Sequence, residues 1–299
     1  MIKLAAFLFA SVLMATEVSG PIVGYAVDPE HRQVRVILGV PGSTHYSDAI
    51  AWPAEAASVR TTPGHRWLLV LRTDGLASAW IPEAGAELSL DGVRGEPGVI
   101  ALSPSGSAAA FYWPDDQRLV VYAGLPSQAA AREIRSGAFT ALAVNDRGDA
   151  VAALASSGEL HLLTKDTDTL LREARPVTSF AFFGDPVAVV EAGSDQLEML
   201  GAAGRSVVPL AAPVSEAARF TSVGLVDPQR AVLYRFTTAA DVHAVALEGV
   251  AIAASESLRP RGATLLKAPD GDVPRIVLSH AAGDDVYYLP TLAVEEVQQ

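Results

Sequence analysis

The chain contains no cysteine. That excludes disulfides, thiolate metal sites, a thiol nucleophile and a lipid-modified N-terminal cysteine, and it leaves the redox compartment open. Clustered positive charge is also missing. There are 22 Lys and Arg against 34 Asp and Glu, a formal net charge of -12. A nucleic-acid partner needs a basic surface that displaces counterions from phosphates, so nucleic acid is set aside, and an anionic membrane surface is disfavoured for the same reason. Long apolar runs are scarce. The stretch from Leu4 to Ala15 is apolar, with Lys3 before it and Thr16-Glu17 after it. A membrane span needs about 20 such residues, so this run is too short to cross. It reads as a secretory signal peptide over residues 1–19, which predicts a secreted or periplasmic protein with no membrane insertion after cleavage. The competing reading is a buried N-terminal strand.

Catalytic signatures are absent too. The sequence has no Gly-x-Ser-x-Gly elbow, phosphate loop or dinucleotide fingerprint. The histidines His31, His45, His65, His161, His243 and His280 form no His-x-His, His-x-x-x-His or His-Glu-x-x-His spacing. They read as isolated surface or core residues, and no catalytic or metal-ligating set is predicted.

What the chain does have is a repeat. Half of its residues are hydrophobic, enough for a large core. The stretch from Gly20 to Pro41 and that from Gly106 to Pro126 both run glycine, apolar strand, acidic turn, apolar strand, Gly-x-Pro. Turn glycines Gly64, Gly106 and Gly148 recur 42 residues apart, followed by Gly184-Asp185, Asp227-Pro228 and Asp270-Gly271. An apolar strand precedes each turn and a second follows it. A tight polar turn and a third strand come next, with room for a fourth outer strand. Short strands at this period predict four-stranded propeller blades, where a β-sandwich or a helical solenoid does not. Six full copies plus the N-terminal hairpin make seven. The first copy lacks an inner strand, and Thr291-Leu-Ala-Val-Glu-Glu296 echoes Ala141-Leu-Ala-Val-Asn-Asp146. Residues 290–297 are therefore expected to pair with the N-terminal strands and close the ring. The other place for them is the outer strand of the last blade. The prediction is an all-β, seven-bladed β-propeller of four-stranded antiparallel blades, one domain over 20–299.

These repeats resemble the seven-bladed propellers of the YVTN/lactonase-like and WD40-like superfamilies, as found among exported bacterial proteins. The resemblance covers residues 20–297 and implies an architecture rather than an activity, because propellers host many functions. The Gly-His…Trp-Asp pair of WD40 repeats and the Tyr-Val-Thr-Asn tetrapeptide are both absent. A lactonase-like kinship keeps one alternative open: a hydrolase with acidic residues and histidines at the mouth of a central channel, around a divalent cation.

The turns between second and third strands carry Glu30, Asp74, Asp115, Asp116, Asp195, Asp241, Asp284 and Asp285. Aspartate is a favoured turn residue, and that is the plain reading. The sharper one is an acidic rim whose summed field attracts a cation or a basic partner. Asp115-Asp116 and Asp270-Gly-Asp272 invite a calcium reading, but neither has the alternating oxygen ligands of a calcium loop. Calcium is the one cofactor left open. Trp67 and Trp80 lie within apolar strands and are expected to pack between blades. Trp52-Pro53 and Trp113-Pro114 fall near strand ends and are candidates for exposed aromatics. The leading expectation is a monomeric, non-catalytic binding scaffold for a protein, a peptide or a glycan.

Overall fold

The computed structural model describes residues 22–28, 31–40, 43–63, 66–135, 137–201, 204–221, 224–227, 229–230, 232–238, 241–246, 260–266, 275–280 and 283–287. The expected signal peptide and the expected closing strand at 290–297 lie outside them. The described residues form antiparallel sheets in sequence order. The first sheet holds β1 (Ile22–Asp28), β2 (Gln33–Val40), β3 (Ser43–Tyr46) and β4 (Ile50–Ala51). The second holds β5 (Ala56–Thr61), β6 (Leu68–Arg72), β7 (Ala77–Ile81) and β8 (Ala86–Ser89), with a single 3-10 turn at Pro82–Ala84. The third holds β9 (Val99–Leu102), β10 (Ala108–Trp113), β11 (Arg118–Ala123) and β12 (Ala130–Arg135). The fourth holds β13 (Phe139–Val144), β14 (Val151–Ala155), β15 (Leu160–Leu163) and β16 (Asp168–Arg172). The fifth holds β17 (Ser179–Phe182), β18 (Val187–Val190), β19 (Gln196–Gly201) and β20 (Gly204–Pro209). The sixth holds β21 (Arg219–Thr221), β22 (Gly224–Asp227), β23 (Val232–Thr238) and β24 (Asp241–Ala246). The seventh shows β25 (Pro260–Leu266), β26 (Arg275–His280) and β27 (Gly283–Tyr287). The expected outer strand is therefore present in the second to fifth sheets.

The twin hairpins have matching registers. Asp28 faces Gln33 across β1 and β2, and Trp113 faces Arg118 across β10 and β11. In both, the last turn residue takes positive φ: 53° at Arg32 and 48° at Gln117. This match places β1 in the second position of its sheet. Both β3 and β4 pair with β2, so together they make one interrupted outer strand.

The sixth sheet departs from expectation. The run Phe220-Thr-Ser-Val-Gly-Leu225 looks like one inner strand, but the chain doubles back within it and Thr221 faces Gly224. The run is short and mostly apolar or β-branched, and its lone Gly224 reads equally as a bulge within one strand. As a result β24 follows β23 as the fourth strand rather than the third.

The core lies between sheets. Side chains alternate along a strand, so a strand sandwiched between two neighbours is buried on both faces. All six residues of β10 are buried. Ala109, Phe111 and Trp113 meet Trp67, Leu69 and Ala79 of the second sheet. Ala108, Ala110 and Tyr112 meet Phe139, Val144 and Val151 of the fourth. Aromatics fill the third sheet, and Phe111 meets Tyr122 edge-on at 5.7 Å between ring centroids. The small alanines of β10 and β14 let the sheets approach closely.

Candidate functional site

Each sheet has two ends. The aspartate edge holds the turns between second and third strands. The cleft edge holds the turns between first and second strands and between third and fourth. At the cleft edge, successive turns are bonded to one another. The indole N–H of Trp67 donates to the Gly106 carbonyl at 2.8 Å. Asp146 accepts from the backbone N–H and the hydroxyl of Ser105 at 2.8 and 2.7 Å. Arg147 donates to Asp185 at 2.6 Å and to Asp149 at 3.1 Å. The cleft edges of the second to fifth sheets therefore align, and so do their aspartate edges.

The aspartate edge brings together only part of the expected rim. Asp74, Asp115, Asp116 and Asp195 lie there and are exposed. Asp74 accepts the backbone N–H of Leu76 at 3.0 Å, which caps its own turn. Asp284 and Asp285 follow Gly283 within β27 rather than in the turn before it, where Asp285 faces Leu278. Asp241 opens β24, after the third strand of its sheet, so it does not sit in a second-to-third turn. Glu30 and Asp270-Gly-Asp272 fall outside the described residues. Among the described residues, no group of three or more His, Asp or Glu side chains is placed to hold a metal ion.

The expected exposed tryptophans are not exposed. Trp52 and Trp113 are 9% and 6% accessible, and Trp67 and Trp80 are buried as well. Arginines close over the two strand-end rings: Arg32 stands 5.2 Å from the Trp52 centroid and Arg118 stands 4.6 Å from that of Trp113. Arg118 also donates to the Gly92 carbonyl and Arg32 to that of Ala56, so each cation ties its turn to the neighbouring segment.

Between the fourth and fifth sheets the junction is closed at one end and open at the other. At the aspartate edge, buried Arg172 pairs with Glu191 and Glu198 of the fifth sheet. Burial pulls its pKa down against the pull of Glu198, yet guanidinium remains charged at any ordinary pH. At the cleft edge the sheets leave a cleft of about 770 Å³. It is lined by the turn that carries Asn145, Arg147 and Asp149, by Leu162 and Lys165, by Pro186, and by Gly201 and Gly204. Arg132 reaches it from the third sheet, where its Nη2 donates to the Gly148 carbonyl at 2.8 Å.

Electrostatics at the cleft mouth are mixed. Asn145 donates to Asp149 at 2.5 Å, and this bond, helped by Arg147, holds the Asp149 carboxyl below its ordinary range. Asp149 and Asp185 in turn raise the pKa of the Arg147 guanidinium further. Sequence reasoning missed the cleft. Its walls come from three sheets, and its charges are of both signs, so no local spacing marks it.

No family model matches the chain, and no curated protein matches it. Among solved structures, the chain is similar to one in the crystal structure of the mitotic checkpoint complex, at 14% identity and a TM-score of 0.51, over 88% of this chain and 83% of that one. It is also similar to PorZ, an essential bacterial surface component of the type-IX secretion system of Porphyromonas gingivalis, at 14% identity and a TM-score of 0.49. That match covers 93% of this chain and 39% of PorZ, so the chain spans well under half the length of PorZ. Hydrazine synthase of Kuenenia stuttgartiensis matches at 14% identity and a TM-score of 0.47, over 95% of this chain and 99% of that one. The likeness to the checkpoint-complex chain is one of fold. With the repeated four-stranded sheets, it makes the chain β-propeller-like.

Proposed function

We propose that the chain is an exported seven-bladed propeller over residues 20–299, a non-catalytic scaffold that holds a basic protein or peptide on its aspartate edge. The observation that carries this reading is the run of antiparallel sheets, most of them four-stranded, of which the first to the sixth pack each on the next. Closure of the ring is supported from both ends. The first sheet has no counterpart of β9 among the described residues, which suits 290–297 as its inner strand, and β27 lies beside β1. A closed ring leaves no edge strand open to stray pairing.

The partner's charge follows from the field of the edge. Asp74, Asp115, Asp116 and Asp195 project exposed carboxylates from the second, third and fifth sheets, on a chain of net charge -12. Exposed charge of one sign steers a partner of the other, and salt screens it over about 10 Å at 0.1 M. The test is affinity capture from the exported fraction of the host at two salt concentrations, with the wild type beside a variant carrying Asp74→Asn, Asp115→Asn, Asp116→Asn and Asp195→Asn. The expected result is a partner whose retention falls with salt and is lost with the variant. Equal retention on both chains at both salts overturns the reading.

A further inference from the structure

The cleft between the fourth and fifth sheets has donors left over. Arg147 is committed to Asp149 and Asp185. Asp149 is further held by Asn145. Two cations lining the same cleft are not committed in this way. Arg132 spends Nη2 on the Gly148 carbonyl, and its Nε–H is buried without an acceptor. Lys165 is exposed at the mouth and has no ion pair or hydrogen bond among the described residues. The Arg132 guanidinium lines the cleft with one of its donors spent, which leaves others for a ligand atom. Ala150, Leu162, Pro186 and Met199 give the wall an apolar strip beside its polar groups. A volume near 770 Å³ falls within the range of small-molecule sites.

We propose that this cleft binds a small amphipathic monocarboxylate, with its head group on Arg132 and Lys165 and its apolar body along Leu162 and Pro186. Guanidinium presents parallel N–H donors that match a carboxylate. A single negative charge suits the site better than a phosphate dianion, because Asp149, Asp166 and Asp185 line the same mouth and repel a second charge. This site lies at the edge opposite the aspartates, so it stands or falls apart from the scaffold reading.

The experiment is titration calorimetry of the protein with octanoate, octanamide and octylammonium, which share a tail and differ in charge. Octanoate is expected to bind saturably, octanamide at least about tenfold more weakly, and octylammonium without saturation. Affinity for hexanoate, octanoate and decanoate should rise by about threefold per methylene along the apolar wall. Arg132→Gln is expected to weaken octanoate about tenfold, and Lys165→Glu by a similar factor with loss of its salt dependence. Arg132→Gln also touches the Gly148 bond. If that variant loses its folded circular-dichroism spectrum, Lys165→Glu decides alone, because its side chain supports nothing in the fold. No saturable octanoate binding, octanamide binding as tight as octanoate, or unchanged affinity in Lys165→Glu each overturns the proposal.

Discussion

Gly148 and Gly184 hold equivalent turns at the cleft edge, with φ of 65° and 66°, and they meet opposite surroundings. A Cβ on Gly148 would lie 2.8 Å from the Cβ of Ala123 and 3.4 Å from that of Ala108. A Cβ on Gly184 would meet nothing within 4 Å. The first turn is pressed onto the third sheet. The second stands clear of the fourth, and the cleft lies beside it. One turn type, repeated along the chain, thus gives a sealed junction between the third and fourth sheets and an open one between the fourth and fifth. The repeat sets the frame, and the depth to which each turn reaches decides where a ligand can enter.

Because the two φ values match, the backbone penalty of alanine cancels between the sites and leaves the steric difference. Gly148→Ala is expected to cost about 3 kcal/mol and Gly184→Ala about 1 kcal/mol. Urea unfolding of both variants measures the gap. Equal costs break the comparison.

A smaller difference separates the ties that cross the two junctions. Asp146 holds Ser105 through a neutral hydroxyl and a backbone N–H. Arg147 holds Asp185 through side chains that are 65% and 77% accessible. Asp146→Ala is expected to cost about 1 kcal/mol, and Arg147→Gln clearly less, because exposed ion pairs are screened. The ranking is read from denaturation midpoints in low salt, and raising the salt should shrink the Arg147 effect alone.

The smallest effect is one of acidity. The Asp149 carboxyl is depressed in the folded chain, chiefly by Asn145, so it binds a proton less readily there than when unfolded. Its contribution is present above the ordinary carboxylate range and is lost as pH falls through the lower folded value. Asp149→Asn should therefore flatten the loss of stability as pH falls below the ordinary carboxylate range, measured as the urea midpoint against pH. An acid limb as steep as that of the wild type removes Asp149 from the account.

Much of this frame is legible in the amino-acid order. Gly106 and Gly148, with the apolar runs around them, announce the repeat, and the twin hairpins have the shared register that their likeness implies. The legibility stops where the physics is not local. The turn inside Phe220-Thr-Ser-Val-Gly-Leu225 is hidden because its apolar and β-branched residues outweigh the single glycine, which in a strand also reads as a bulge. Trp52 and Trp113 look exposed until the arginines that cover them are placed in space. The aspartates are conspicuous because they share one sign. The cleft is not, because Arg132, Asp149, Lys165 and Leu162 meet only when three sheets stack.

The bonds at the cleft edge have a common reach. Trp67 to Gly106 and Ser107 to Asp146 span 39 positions, Ser105 to Asp146 spans 41, and Arg147 to Asp185 spans 38. Each is about one repeat long. A newly made sheet therefore finds its docking partner in the segment synthesised just before it, and the loop it must close is no longer than for any earlier sheet. Closure entropy grows slowly with loop length, but contacts confined to one repeat hold it to the same small value at every step. Such a chain can assemble by accretion as it is made.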